Sequence, residues 1–247
     1  MTDELRTRLV QWWQRRPLLV ALDFDGVLAP IVEQPEDARA LLGTGELLDR
    51  IAAIDGVHVA LVSGRALASL RAVAQVAPGS RLVLVGSHGA EVDGTDVQLD
   101  DSARDALAAV HETFLALAAD QPGVHVETKP AGVVLHTRRA ARDVAAHVTE
   151  AALAAADRAG CHVSQGKEVV EVSVIETGKG VALERLRDEL GVVGVLYVGD
   201  DVTDENAFAV LGDGDVGIKV GDGDTRAQWQ VADPEQVQHL LRLLAQG

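Results

Sequence analysis

Two aspartates, Asp23 and Asp25, follow the apolar run Leu18–Leu22 in the stretch LLVALDFDGVLAP. A run of that length without helical periodicity predicts a buried strand. Residues two apart at a strand end share a face, so both carboxylates are expected to point the same way. Held that close, they repel unless a cation or a shared proton lies between them. Other apolar runs also end in reactive groups. Ser63 and Gly64, in VSGR, follow VHVALV. Gly64 lets a ligand approach a backbone N–H, and the helix expected from near Ala66 offers its positive end to an anion. Lys179, in TGKG, stands at a helix start, where a cation is disfavoured unless an anion is near. Asp200 and Asp201 follow VLYVG, and Asp204 and Glu205 then open a helix that Thr203 is placed to cap.

These groups supply carboxylates, a hydroxyl, an ammonium and free N–H donors to one sheet edge. Oxygen ligands without a His or Cys cluster suit Mg²⁺ rather than zinc. Carboxylates, Mg²⁺ and anion donors together describe a phosphoryl-transfer site. In such a site a carboxylate can itself attack phosphorus. Asp23 is read as the attacking group and Asp25 as the proton carrier, with Mg²⁺ allowing them to sit together.

The elements that must position these groups alternate. Apolar runs at Leu18–Leu22, Val57–Val62, Leu82–Val85, Val195–Val198 and Val216–Val220 are separated by helical patterns near Gly45–Ile54, Ala66–Val76, Lys179–Leu190, Thr203–Leu211 and Pro234–Leu244. This order predicts an α/β core with a doubly wound, Rossmann-like parallel sheet and its ligand at the carboxyl ends of the strands. The middle breaks the pattern. Helices near Ser102–Ala119 and Ala140–Ala159 are each followed by two strand-like runs, VHVETK and GVVLHT, then CHVSQ and EVVEVSV. Helix–strand–strand twice predicts an α+β cap domain, with helices on one face of a small antiparallel sheet. The expected division is a core of 1–101 and 176–247 with residues 102–175 inserted.

Composition narrows the function classes. The formal charge of −16 argues against nucleic acid as a partner. It leaves room for a small anionic substrate, because a cation and local lysines can invert the field in a cleft. Cys161 is the only cysteine, which suits a reducing compartment. No signal peptide or membrane span is read, so a cytoplasmic protein without a membrane partner is expected, as a monomer. Trp12 and Trp13 are expected to pin the first helix to the core or to form an oligomer contact. Cys161 should pack as a small hydrophobe, and His88 in GSHGAE is expected to be satisfied by loop backbone. The stretch GDGDVGIKVGDGDTR lacks calcium-loop spacing and reads as turns around an edge strand.

The ordered set LDFDGVLAP, SGR, Lys179 and GDDVTDE resembles the haloacid-dehalogenase-like phosphatase superfamily. With GSHGAE, ETKPAGVVLHTR, GKEVVEVSV and TGKGVAL it is similar to the trehalose-6-phosphate phosphatase family within it. The resemblance runs from about Leu18 to the end. It implies that Asp23 is nucleophile and metal ligand, that Asp25 is general acid and base and gives its main-chain carbonyl to Mg²⁺, and that Asp200 completes the protein ligands. Asp204, and Asp201 behind it, would order the metal shell. Ser63 and Lys179 would hold phosphoryl oxygens, with Gly64 and Arg65 of SGR as further substrate contacts. Glu127, Lys129, His136, Arg138, Lys167 and Glu171 would contact the sugar. The implied substrate is trehalose 6-phosphate. The alternatives are another sugar phosphate, such as a sucrose or mannosylglycerate ester, and a non-catalytic sugar-phosphate sensor. The sensor predicts loss of Asp23, Asp25 or Asp200, and all three are present.

Overall fold

The computed structural model describes residues 1–77, 79–95, 97–166 and 168–246. The chain divides into Met1–Gly94 with Gly178–Gly247, and Thr95–Thr177. In the first unit the order begins α1 (Asp3–Trp13), β1 (Leu18–Leu22), α2 (Thr44–Ala52), β2 (Val57–Val62), α3 (Leu67–Ala74), β3 (Val83–Gly86) and β4 (Glu91–Val92). The second unit contains α4 (Asp101–Ala118), β5 (His125–Lys129), β6 (Gly132–His136), α5 (Arg142–Arg158), β7 (His162–Gly166) and β8 (Val169–Ser173). The chain then returns to the first unit with α6 (Lys179–Leu190), β9 (Gly194–Gly199), α7 (Glu205–Ala209), β10 (Val216–Val220), β11 (Trp229–Val231) and α8 (Pro234–Leu244).

All five residues of β1 are buried, as a strand covered on both faces requires. Alternate residues go to opposite cores. Leu18, Val20 and Leu22 pack with Trp12 of α1, Ile51 of α2 and Leu240 of α8, while Leu19 and Ala21 pack with Leu183 of α6 and Phe208 of α7. Trp12 and Trp13 are both in the first of these cores, so α1 is pinned as expected.

The sheet runs β11-β10-β9-β1-β2-β3-β4 and is parallel except for the β3–β4 pair. Strand order reverses beside β1: the chain steps outward through β2 and β3, then returns to β9 on the other side. That switch point is where an open α/β sheet leaves a crevice at its carboxyl edge. Leu22 is level with Val198 in β9, and the N–H of Asp23 donates to the Val198 carbonyl at 2.9 Å. The register thereby brings Asp23 beside the segment that starts at Asp200.

Two short strands escaped the periodic reading. β4 has two residues and β11 three, too few for a hydrophobic period to register. Because β11 lies outside β10, β10 is an interior strand rather than the expected edge. The aspartate-rich turn before it is structural: Asp215 is buried and accepts from the N–H groups of Val195 and Gly212, each at 2.8 Å, and from Arg187 at 2.5 Å.

In the second unit the sheet order is β5-β6-β8-β7, antiparallel throughout. Val133, Leu135, Val170 and Val172 form its core with Phe114 of α4 and Val148 of α5, and Cys161 packs against this cluster as a small apolar group. Among the described residues, no helix is long and apolar enough to cross a membrane.

Replacing Asp215 by Ala strands two main-chain N–H groups and one guanidinium. The expected loss is about 3 kcal/mol of unfolding free energy in urea. An unchanged midpoint would mean that water replaces the carboxylate at no penalty.

Candidate active site

Asp23 stands one residue beyond β1 and is buried. Its Oδ1 accepts from the N–H of Phe24 at 2.6 Å and its Oδ2 from Lys179 Nζ at 2.5 Å. Lys179 is the first residue of α6, and its ammonium also donates to Asp204 Oδ1 at 2.7 Å. The anion that its place at the helix start called for is this pair of carboxylates. Burial alone would lower the lysine pKa, but Asp23 and Asp204 together push it up.

Asp204 is fully buried and its oxygens take four donors. Oδ1 accepts from Lys179 and from the Tyr197 hydroxyl at 2.6 Å, and Oδ2 from the N–H groups of Asp200 and Asp201, each at 2.9 Å. It fixes the turn that carries Asp200. Helical capping here belongs to Asp201, whose side chain accepts from the N–H of Val202 at 2.7 Å, and not to Thr203. The reason is that the helical segment opens at Val202, two residues before Asp204. Tyr197 was hidden inside an apolar run. Its phenol pKa is raised well above the usual value by burial and then by the charge of Asp204.

Asp200 is half-buried, and its carboxylate accepts no hydrogen bond among the described residues. It lies against Gly26: a Cβ added there would stand 2.0 Å from Asp200 Oδ2, and the glycine φ is +72°. Only glycine fits that backbone and leaves that space. Carboxylate oxygens of Asp23, Asp200 and Asp204 all come within 4.8 Å of one another. Burial first, and the neighbouring carboxylates next, raise Asp200 to about 7. Asp23 is raised to about 6 by burial, against the pull of Lys179. Crowded oxygen donors that retain protons this far above the usual carboxylate range fit a hard divalent cation.

The carboxylate of Asp25 does not join this cluster. The chain leaves the strand at Leu22 and turns through Gly26, so the alternation of a strand no longer applies to Asp25. Its carboxylate is held bidentately by Arg65, Nε at 2.6 Å and Nη2 at 2.7 Å. Each of the two aspartates thus has a cationic partner, Lys179 for Asp23 and Arg65 for Asp25.

Ser63 and Gly64 end β2 at the same sheet edge. Ser63 is buried, and its Oγ accepts from the N–H of Arg65 at 3.3 Å. The imidazole of His88 packs on Gly64, where a Cβ would come 2.5 Å from the ring, and the His88 N–H donates to the Ser63 carbonyl at 3.0 Å. A second buried lysine, Lys219 of β10, was not recognised in the sequence. Its ammonium donates at 2.6 Å to the main-chain carbonyl of Asp200. Only a buried polar residue inside the apolar VGIKV run signalled it.

In the second unit, Glu127 and Lys129 alternate along β5, and the register places His136 and Glu171 on the same face. His136 Nε2 and Glu127 Oε2 are 2.9 Å apart, and Lys129 donates to Glu171 at 2.8 Å. The hydrogen bond with His136 lowers the Glu127 pKa against partial burial. Arg138 lies beyond the end of β6 and is exposed. Lys167 falls outside the described residues.

The family model for trehalose-phosphatase matches residues 21–238. The trehalose-phosphate phosphatase of Mycobacterium marinum is 36% identical over 244 residues, covering 92% of this chain and 61% of that protein. The enzyme of the same name from Mycobacterium tuberculosis H37Rv is 36% identical over 243 residues with the same coverage. This chain therefore spans about three-fifths of the length of these relatives. Among solved structures, a trehalose-6-phosphate phosphatase related protein aligns with TM-score 0.74 and 27% identity, covering 92% of this chain and 97% of that one. Aspergillus fumigatus trehalose-6-phosphate phosphatase aligns with TM-score 0.72 and 26% identity, covering 98% and 97%. Sequence, fold and the order of the acidic motifs agree, and the chain belongs to the trehalose-phosphatase family.

Proposed function

We propose that this chain hydrolyses trehalose 6-phosphate to trehalose and phosphate through an aspartyl phosphate on Asp23, with Mg²⁺ as cofactor. The observation that carries the reading is Asp200, a half-buried carboxylate with no donor among the described residues, crowded against Asp23 in a member of this family. Asp23, Asp200 and the main-chain carbonyl of Asp25 would hold the cation. Asp204, with its four donors, would keep Asp200 in place. When bound, the cation supplies positive charge to the phosphoryl oxygens and to the carboxylates that crowd them.

The Asp23 carboxylate attacks phosphorus, and the bond from phosphorus to the sugar oxygen breaks. Asp25 gives that oxygen its proton. Water then attacks the phosphoryl group, Asp25 takes the water proton, and the bond to Asp23 breaks to release phosphate. Ser63, Lys179 and the N–H of Gly64 serve phosphoryl oxygens. In the second unit, Glu127, Lys129, His136, Arg138 and Glu171 serve sugar hydroxyls, as Lys167 does by the same assignment. A face that alternates acid and base suits hydroxyls, which donate and accept at once.

The test is phosphate release from trehalose 6-phosphate with and without Mg²⁺, beside glucose 6-phosphate and sucrose 6-phosphate. Metal-dependent release from the trehalose ester is expected, with Asp23→Asn slower by at least about 10⁴-fold and still folded. Release from a different ester would keep the chemistry and reject the substrate. Near-normal turnover in the Asn variant would remove Asp23 as nucleophile.

The raised carboxylates add a pH dependence. In the metal-free folded chain Asp23 is raised to about 6 and Asp200 to about 7, above the ordinary aspartate value of 3.8. Between those limits the folded state binds more protons than the unfolded one, so their contribution to stability falls as pH rises. A cation must displace these protons, so its stabilisation grows with pH. Mg²⁺ should raise the thermal midpoint more at about pH 7.5 than at about pH 5.5, with proton release measurable by calorimetry. An equal shift at both would exclude the two aspartates as ligands.

A further inference from the structure

We infer that Arg65 is the positioning residue of Asp25, and that it acts in the half-reaction in which Asp25 takes a proton from the attacking water. The inference rests on the role given to Asp25 under Proposed function. Arg65 is expected to be a substrate contact from its place in SGR, and in the structure its guanidinium gives two of its N–H donors to Asp25. Among the described residues these are the only hydrogen bonds that the Asp25 carboxylate accepts. Asp25 lies past the strand in a glycine turn, where an isolated bridge to Ala29 holds its backbone but offers its carboxylate no partner. Its aim is therefore set by Arg65.

Arg65 is itself fixed. Its guanidinium carbon stands 5.9 Å from the centre of the Phe24 ring. Its carbonyl accepts from the N–H of Ser87 at 2.7 Å, and its own N–H donates to Ser63 Oγ at 3.3 Å. Ser87 and His88 both hold positive φ, +48° and +53°, a conformation that side chains other than glycine rarely adopt. That backbone brings the Ser87 and His88 N–H groups onto the Arg65 and Ser63 carbonyls. Strain of this kind persists only where surrounding contacts over-determine it. Here it braces an arginine that carries no reacting atom.

A two-pronged arginine pair is the arrangement of an ionised carboxylate. That is the form in which Asp25 accepts a proton as water attacks the phosphoryl group, the oxygen–phosphorus bond to water forms, and the bond to Asp23 breaks. Lysine cannot reproduce the fork. Arg65 should therefore matter most after the leaving group has gone.

The experiment is rapid mixing of the full chain, loaded with Mg²⁺, with p-nitrophenyl phosphate, whose leaving group departs without a proton. Arg65→Met should release about one p-nitrophenolate per active site in a burst, then turn over about 10²-fold more slowly than wild type. Acid-quenched protein should be heavier by one phosphoryl group. Arg65→Lys should show the same burst with about a tenfold fall, which keeps the test alive if the Met variant does not fold. Slower turnover in both variants without burst or phosphorylated protein would overturn the inference, as would unchanged turnover. Asp25→Asn separates the two readings. A burst there but in neither Arg65 variant overturns the inference alone, whereas slow turnover without a burst in Asp25→Asn removes Asp25 as the base.

Discussion

A single ammonium, buried between two carboxylates, is the interaction on which the site depends. Lys179 contacts both Asp23 and Asp204, and all three are almost inaccessible to solvent. Burying any one of these charges alone would be prohibitive. The arrangement holds because each carboxylate has further donors. Asp23 has the N–H of Phe24, and Asp204 has a phenol and two main-chain N–H groups. The lysine occupies the first turn of a helix, where the dipole opposes it, and direct contact with two anions outweighs a term of about 1 kcal/mol. The strand order then has a function. Only because β9 pairs directly with β1 can the turn after β9 present Asp200 and Asp204 to Asp23.

One ammonium does not balance three carboxylates. Lys219 adds a second buried cation, but its hydrogen bond is to the Asp200 carbonyl, so it steadies the turn and leaves the Asp200 carboxylate unpaired. Burial first, and the crowded carboxylates after it, raise Asp23 to about 6 and Asp200 to about 7. A divalent cation would relieve this crowding, and Asp200 is the carboxylate open to it, because the oxygens of Asp204 are occupied and those of Asp200 accept no hydrogen bond among the described residues. Preorganisation here means that carboxylates are held together by covalent turns and a glycine before the charge that would relieve them arrives.

How much of this was legible in the sequence follows from what sets each feature. Asp23, Ser63 and Asp200 were found because apolar runs end abruptly at them, and run length and periodicity are local properties. The α/β alternation and the two helix–hairpin segments were legible for the same reason. For Asp25 the sequence offered strand alternation alone, which ends at Leu22, and the arginine that holds its carboxylate comes from the end of another strand. Tyr197 and Lys219 were missed because each sits inside a run that reads as pure core, and their partners, Asp204 and the Asp200 carbonyl, are set by strand pairing. β11 was too short to show a period, and its absence from the reading made β10 an edge.

The second unit marks where such reading stops. Period-2 spacing places Glu127 and Lys129 on one face, but it cannot say that Lys129 reaches Glu171. That pair spans two strand spacings, roughly 9–10 Å of sheet, because β6 lies between β5 and β8. Lys129 faces Gly132 in the register, and Gly132 faces Ser173. With no side chain on the strand between them, the lysine stem can cross β6 and meet Glu171. Contact across a strand thus depends on what the intervening strand lacks, and on a strand order that the linear sequence does not contain.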